Sequence, residues 1–230
     1  MISGIASMAM SKVLAELSQR YEKSSGQAVS VLAVGGVDAA RRVEHGEGFD
    51  FVVLAADAIE RLSAAGRVDA ASRTDLARSD IAVAVPAGAA RPDLSSEATL
   101  RQAILSGGTI AYSTGPSGTH LLRLFERWRI AERIAPRMVQ APPGVPVGAL
   151  VARGEASLGF QQSSEFIDVA GIDVVGLLPP EIRMTTVFTG AVCTASREPA
   201  ATRALLAYLA SAEGEATKRR HGMEPATSPS

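Results

Sequence analysis

The sequence predicts an α/β protein built as two lobes, each a mostly parallel sheet flanked by helices. Three observations lead there. Short apolar runs rich in β-branched residues alternate with helical periodicities along the 230 residues, and strand-then-helix repetition implies parallel sheets covered on both faces. The length suits one large domain or two lobes of roughly 100 residues each. The third is a strand that runs into a small-residue turn and opens a helix, Ile110-Ala111-Tyr112-Ser113-Thr114-Gly115-Pro116-Ser117-Gly118-Thr119-His120.

Taken in order, residues 2–6 and 29–34 (Val29, Val31, Val34) read as strands, as do 50–54 (Phe51, Val52, Val53, Leu54) and 81–85 (Ile81, Val83, Val85). Between them, Val13, Leu14, Leu17 and Tyr21 share one helical face, and Ile59 and Leu62 precede a helix-ending Gly66. The alternation continues with a strand over 109–113, a helix over 118–129, a strand near 137–140, a helix over 146–153 and the strand Ser157-Leu158-Gly159-Phe160. After the strand Asp173-Val174-Val175-Gly176-Leu177 comes a hairpin pattern from Met184 to Thr194, then helices over 198–211 and 212–221. The tail from Pro225 reads as frayed. Pro142-Pro143-Gly144 is a turn between well-patterned neighbours, not a linker. The lobes are expected at residues 1–80 plus 186–230 and at 81–185, with hinge segments near 80–86 and 178–186.

Composition narrows the function. The chain is 47% hydrophobic and 20% charged with a formal net charge of −1, and a mean hydropathy of +0.15. No basic run offers a face for a phosphate backbone or an acidic membrane, so neither nucleic acid nor membrane insertion is expected. Cys193 is the only cysteine, which excludes an intrachain disulfide and a cysteine-based metal site. It sits in the apolar run Val192-Cys193-Thr194 and reads as a small buried hydrophobe. His45, His120 and His221 are too scattered for a metal site, and no cofactor motif or nucleophile set is present. Gly35-Gly36 lacks the spacing and the helix partner of a dinucleotide fingerprint. Met1-Ile2-Ser3-Gly4-Ile5 has no basic start and no apolar stretch of signal-peptide length, so the sequence as it stands reads as cytoplasmic, and as periplasmic if a leader has been removed.

The turn before Leu121 carries the chemistry. Amides at the start of a helix have no internal acceptor and sit in the positive end of its dipole, which suits an anion. The alternative is that Ser117 or Thr119 only caps the helix.

The register of Ser7-Met8-Ala9-Met10, the segment Val43-Glu44-His45-Gly46, the stretch Phe49 to Ala56, the turn at Pro116-Ser117-Gly118, the run Leu150-Val151-Ala152-Arg153-Gly154-Glu155-Ala156-Ser157-Leu158-Gly159 and the closing His221-Gly222-Met223 resemble type II periplasmic solute-binding proteins of the molybdate-binding group. The likeness covers nearly the whole chain. It implies two α/β lobes joined by crossing segments and closing on an oxyanion in the cleft between them, and for an exported chain an ABC transporter as partner. A monomer with no cofactor is expected.

The departures from that group bear on the ligand. Where the molybdate binders place a serine after the first strand and another after the second, this chain has Ala9, or Ser7 with a shift of two, and Gly36; their later tyrosine is matched by Gln162. Each lost donor would leave an oxyanion oxygen short of a partner, at about 1–3 kcal/mol. An organic acid is therefore favoured over molybdate. Ser7, Met8, Ala9, Gly35 and Gly36 are the candidate ligand residues of one lobe, and Ser117, Gly118, Thr119 and Gln162 those of the other, with Arg78 as a fork for a carboxylate. Some relatives of the group act as aconitate isomerases, which makes an enzyme the alternative to a binding or sensing protein. His120, in the first turn of its helix, would then be the candidate base, and a packed histidine without chemistry is the other reading.

Overall fold

The structure, a computed structural model, describes residues 1–142 and 144–226. In chain order its elements are β1 (Ile2–Ser7), α1 (Ser11–Ser25), β2 (Val29–Val34), α2 (Gly36–Glu44), β3 (Phe51–Ala55), α3 (Ala56–Ala64), β4 (Thr74–Pro86), α4 (Glu97–Ser106), β5 (Ile110–Tyr112), α5 (Pro116–Arg127), α6 (Ala131–Ile134), β6 (Met138–Gln140), α7 (Val147–Ala152), β7 (Leu158–Gln162), α8 (Ser163–Phe166), β8 (Ile172–Leu177), β9 (Thr185–Val192), α9 (Pro199–Ala210), α10 (Glu215–Arg220) and β10 (Glu224–Pro225). They form two compact units, the first of residues 1–79 and the chain from 186 onward, the second of residues 80–185.

In the first unit the strand order is β2-β1-β3-β9-β4, with β10 also pairing with β4. Strands β1, β2 and β3 are parallel, and β9 runs antiparallel to β3. Consecutive residues of β3 serve opposite faces. Phe51 and Val53 join Leu14, Leu17, Leu205 and Leu209 in one cluster, while Val52 and Leu54 join Ile59, Leu62 and Val43 in another. A strand covered on both faces must be apolar throughout, which is why Phe51-Val52-Val53-Leu54 shows no alternation. Gly4 lies opposite Phe51 in the register, and a Cβ there would come within 2.2 Å of the Phe51 ring. The missing side chain is what lets the ring lie across β1.

Asp50, just before β3, accepts hydrogen bonds from the Ser3 amide and hydroxyl, the Ser196 hydroxyl and the Arg197 amide, at 2.9–3.1 Å. Burial alone would raise its pKa, but these donors outweigh burial and hold the carboxyl below its usual value.

The second unit has the order β8-β4-β7-β5-β6, with β5, β6 and β7 parallel and β4 antiparallel to both β7 and β8. Strand β4 sorts its residues by size. Ile81, Val83 and Val85 face a cluster with Leu121, Phe125 and Trp128, whereas Ala82 and Ala84 face the closer-packed Val147, Leu150 and Phe166.

The structure corrects several expectations. Met184 to Thr194 is not a hairpin, because Thr185–Val192 is one strand along β3. Gly190 sits mid-strand, where a Cβ would meet Leu206 at 2.7 Å. Gly35-Gly36 does have a helix partner, since α2 begins at Gly36. The strand read at 81–85 extends back to Thr74. Helix α4 was not foreseen, although Ser96 and Thr99 form a reciprocal capping box at its start. Pro225 is not frayed: it is buried and paired with Ala77. The rest of the expected frayed tail, residues 227–230, lies outside the described residues, as does Pro143 of the expected turn.

Candidate functional site

Open α/β sheets receive ligands beyond the carboxyl ends of their strands. In the second unit those ends belong to β5, β6 and β7, whose register aligns Tyr112 with both Gln140 and Phe160. Each of the three strands is followed by a helix, α5, α7 or α8, so the turn at residues 113–117, the start of α7 and Gln162 rim the same end of the sheet.

The turn into α5 is built around Ser113. Its hydroxyl lies 2.8 Å from that of Ser117, a residue only 1% exposed. Gly118 follows, and a Cβ there would stand 1.7 Å from the Ser113 carbonyl oxygen. The helix start is therefore pressed against the turn at a distance only glycine allows. Pro116 occupies the first helical turn, where its missing N–H is not needed. The amides of Ser117 and Gly118 stand in that turn, where a helix supplies no acceptor. Thr119 is engaged differently, because its amide and its exposed hydroxyl both donate to the Gly115 carbonyl, at 3.1 and 3.3 Å.

His120 is fixed through Nε2, 3.0 Å from the Ile182 carbonyl oxygen. A carbonyl only accepts, so Nε2 carries the proton and, in the neutral ring, Nδ1 keeps the lone pair.

At the end of β7 both glutamines are buried, at 3% and 2% exposure. The Gln161 amide bridges two groups: its Oε1 accepts from the Val147 amide at 3.0 Å, and its Nε2 donates to Glu165 Oε2 at 2.6 Å. Gln162 is the residue at which the strand turns into α8. Burial pushes the Glu165 carboxyl up to about 8, opposed only in part by the Gln161 hydrogen bond, so it is largely neutral at pH 7.

In the first unit the corresponding ends are those of β1, β2 and β3. Ser7 precedes the 3-10 turn Met8–Met10 and pairs with Val34, next to Gly35. A Cβ at Gly36 would lie 3.7 Å from the Ser7 hydroxyl, so Ser7 and Gly36 are neighbours, and Met8 is half-buried beside them in the chain. Ala9, 4% exposed, packs its side chain into the core of this unit. Arg78 lies on β4 opposite Glu224, and its Nε donates to the Pro225 carbonyl at 3.3 Å, which associates it with the C-terminal strand.

The structure thus brings Ser7 together with Gly36, and Ser117 with Gly118. Sequence reasoning missed Ser113 and Glu165, and of the two glutamines that follow the buried strand it chose Gln162 over Gln161. Ser113 and Ser117, like Gln161 and Glu165, are four residues apart, a spacing that brings side chains together only once the helix boundaries are known. Among the described residues no group of three or more histidine, cysteine or acidic side chains could hold a metal, and no helix is long and apolar enough to cross a membrane.

The family model for bacterial extracellular solute-binding proteins matches residues 2–224. An aconitate isomerase of Pseudomonas sp. is 39% identical over 216 residues, covering 91% of this chain and 82% of that protein. Among solved structures, the periplasmic molybdate-binding protein of Azotobacter vinelandii superposes with a TM-score of 0.78 at 19% identity over 100% of both chains. PEB3 with bound L-phospholactate does so with a TM-score of 0.73 at 13% identity, over 97% of this chain and 99% of that one. These two likenesses concern the fold, whose two α/β units match the type II arrangement that the sequence resembles.

Proposed function

The chain belongs to the bacterial extracellular solute-binding proteins, and from that premise we propose that it binds an aconitate-type tricarboxylate and moves its double bond. The observation that carries this reading is the 39% identity, over 91% of the chain, to a protein named as an aconitate isomerase. At that level a relative supports more than a shared fold.

The chemistry asked of the site is modest. One proton leaves the methylene carbon of the acid, the double bond moves along by one carbon, and a proton returns to the former alkene carbon. No electron acceptor or metal is needed. Three things are: donors for the carboxylates, a group that takes and returns the proton, and hydrogen bonds for the enolate-like charge between the two steps. Ser7, Gly35 and Gly36 on the first unit and Ser117 and Gly118 on the second are the proposed donors. His120 is the proposed base through Nδ1, because its Nε2–H is committed to Ile182. With Ala9, Gly36 and Gln162 where the molybdate-binding group is expected to carry hydroxyl donors, the site suits a larger organic acid better than a compact tetrahedral oxyanion.

A second reading is capture of the acid without chemistry, for delivery to a membrane transporter or for sensing. The family description favours it. Both readings share the ligand class, which a thermal-shift series with cis-aconitate, trans-aconitate, tricarballylate, citrate, phosphate and molybdate tests. A ligand present at 100 times its Kd adds about 2.7 kcal/mol to stability. Stabilisation by the tricarboxylates is expected, and stabilisation by molybdate alone would remove the carboxylate reading.

A further inference from the structure

Glu165 is an acid in an unusual place. It stands in the first turn after β7, on the same sheet end as the Ser113–Ser117 turn. It is joined by Gln161 to the first amide of α7, so one glutamine side chain links a carboxyl, a strand end and a helix start. Helix α7 and strand β7 carry no ionisable side chain, and α8 carries only Glu165. On the elements packed against these, the ionisable residues are Tyr112 on β5, His120, Arg123, Glu126 and Arg127 on α5, and Asp173 on β8, which is engaged by the Gly88 amide and Arg91. The adjoining stretches add Arg153 and Glu155 after α7, which pair with each other, Asp168 after α8, and Asp80 on β4, beside the pairing of Ile81 with Gln162. Asp80 is engaged by the Thr185 hydroxyl at 2.6 Å and by Arg183 at 3.9 Å. Among the described residues no cation pairs with Glu165; its carboxyl is half-buried and accepts from Gln161.

We infer that Glu165 is a positioning residue of the ligand site: in its neutral form it anchors Gln161 and the start of α7 and keeps negative charge off this strand end, so that binding of the carboxylate ligand is coupled to the Glu165 proton. The inference rests on the carboxylate reading above and deepens it. The physical reason is that a carboxylate half-buried at this strand end, accepting a hydrogen bond from Gln161, loses part of its hydration when charged, and a second anion brought to the same sheet end adds like-charge repulsion. A neutral carboxyl carries no such penalty and can still accept from Gln161. Linkage then requires the ligand to hold the proton on Glu165 and the proton to favour the ligand.

The test is the affinity for tricarballylate, the saturated tricarboxylate that cannot isomerise and whose own carboxyls titrate below the range used. Kd is measured by calorimetry at pH 7.0 and 9.0 for the wild-type chain and for Glu165→Gln, with thermal melts at both values to establish that each protein is folded. With Glu165 titrating at about 8, the wild-type Kd should rise about tenfold between the two pH values. In Glu165→Gln, which keeps the acceptor oxygen and removes the titration, the ratio of the two Kd values should stay near one. A flat wild-type profile, or the same tenfold rise in the variant, overturns the inference while leaving carboxylate binding in place. Failure of the wild type to bind tricarballylate or either aconitate at pH 7.0 removes the carboxylate reading, and this inference with it.

Discussion

Replacing Gly118 with alanine tests the geometry of the turn at α5 by the sign of the effect. In an unobstructed helix, glycine to alanine stabilises by up to about 1 kcal/mol, because alanine loses less backbone entropy. At Gly118 the added Cβ would stand 1.7 Å from the Ser113 carbonyl oxygen and 2.8 Å from its carbon. Both are backbone atoms, so no side-chain rotation relieves the contact, and either the turn or the helix start must move. Overpacking of this kind costs about 1–3 kcal/mol, which outweighs the propensity gain. The net expectation is a loss of roughly 1–2 kcal/mol, or a Tm lower by about 2–8 °C for a chain of this size. Trp128 is the only tryptophan; it is 6% exposed and caps the C-terminus of the same helix. Its fluorescence therefore follows melting of the second unit specifically. A Tm that holds or rises in Gly118→Ala would refute the close approach of α5 to Ser113, and with it the described shape of the turn.

Other perturbations read other parts of the structure. Glu165 holds its proton up to about pH 8 in the folded chain against an ordinary value of 4.5, so its contribution to stability is complete below about 4.5 and is lost as pH rises towards 8. In Glu165→Gln the unfolding free energy of the second unit, followed by denaturant titration, should lose that decline, and an unchanged slope would show that the carboxyl is not enclosed. Asp50 has the opposite sign. Its lowered pKa stabilises the fold above its ordinary value of 3.8, and that stability is lost as pH falls through the depressed value. Asp50→Ala, which leaves the Ser3 and Arg197 amides without their acceptor, should cost about 3 kcal/mol at pH 7 by urea unfolding. A loss under 1 kcal/mol would mean the network contributes little. Burial pushes the Cys193 thiol up to about 12. The native chain should therefore leave a disulfide reagent unreacted at pH 8 and consume one equivalent when unfolded, whereas rapid native labelling would contradict the burial of that strand end.

Much of the fold was legible because the central strands are covered on both faces. Phe51 to Leu54 can be read as a strand from apolar, β-branched composition alone, and the helix after it from the spacing of Ile59 and Leu62. Reading failed where a residue's role depends on a partner distant in sequence. The polar stretch Arg78-Ser79-Asp80 hid the first half of β4, whose Ala77 and Arg78 pair with residues 225 and 224. The hairpin pattern read over Met184 to Thr194 is one strand, and its Gly190 makes room for Leu206, which lies on a helix further along the chain. At the candidate site, the turn at Pro116-Ser117-Gly118 was visible in the sequence as small residues opening a helix. The hydroxyl pair of Ser113 with Ser117, and the bridge from Glu165 through Gln161 to Val147, were not, because each depends on where a strand stops and a helix starts to within one residue. His120 was visible as a residue, but the carbonyl that fixes its ring lies 62 positions away.

The most direct test of the proposed function is a proton NMR time course of the purified chain with trans-aconitate in deuterated buffer at neutral pH, against the buffer alone and against His120→Ala. Double-bond migration should produce cis-aconitate from trans-aconitate, with deuterium entering at the carbon that regains a proton, and the His120→Ala protein should slow both signals together. Saturable binding of trans-aconitate with neither new isomer nor deuterium would contradict the isomerase assignment and leave the chain a carboxylate-capturing protein.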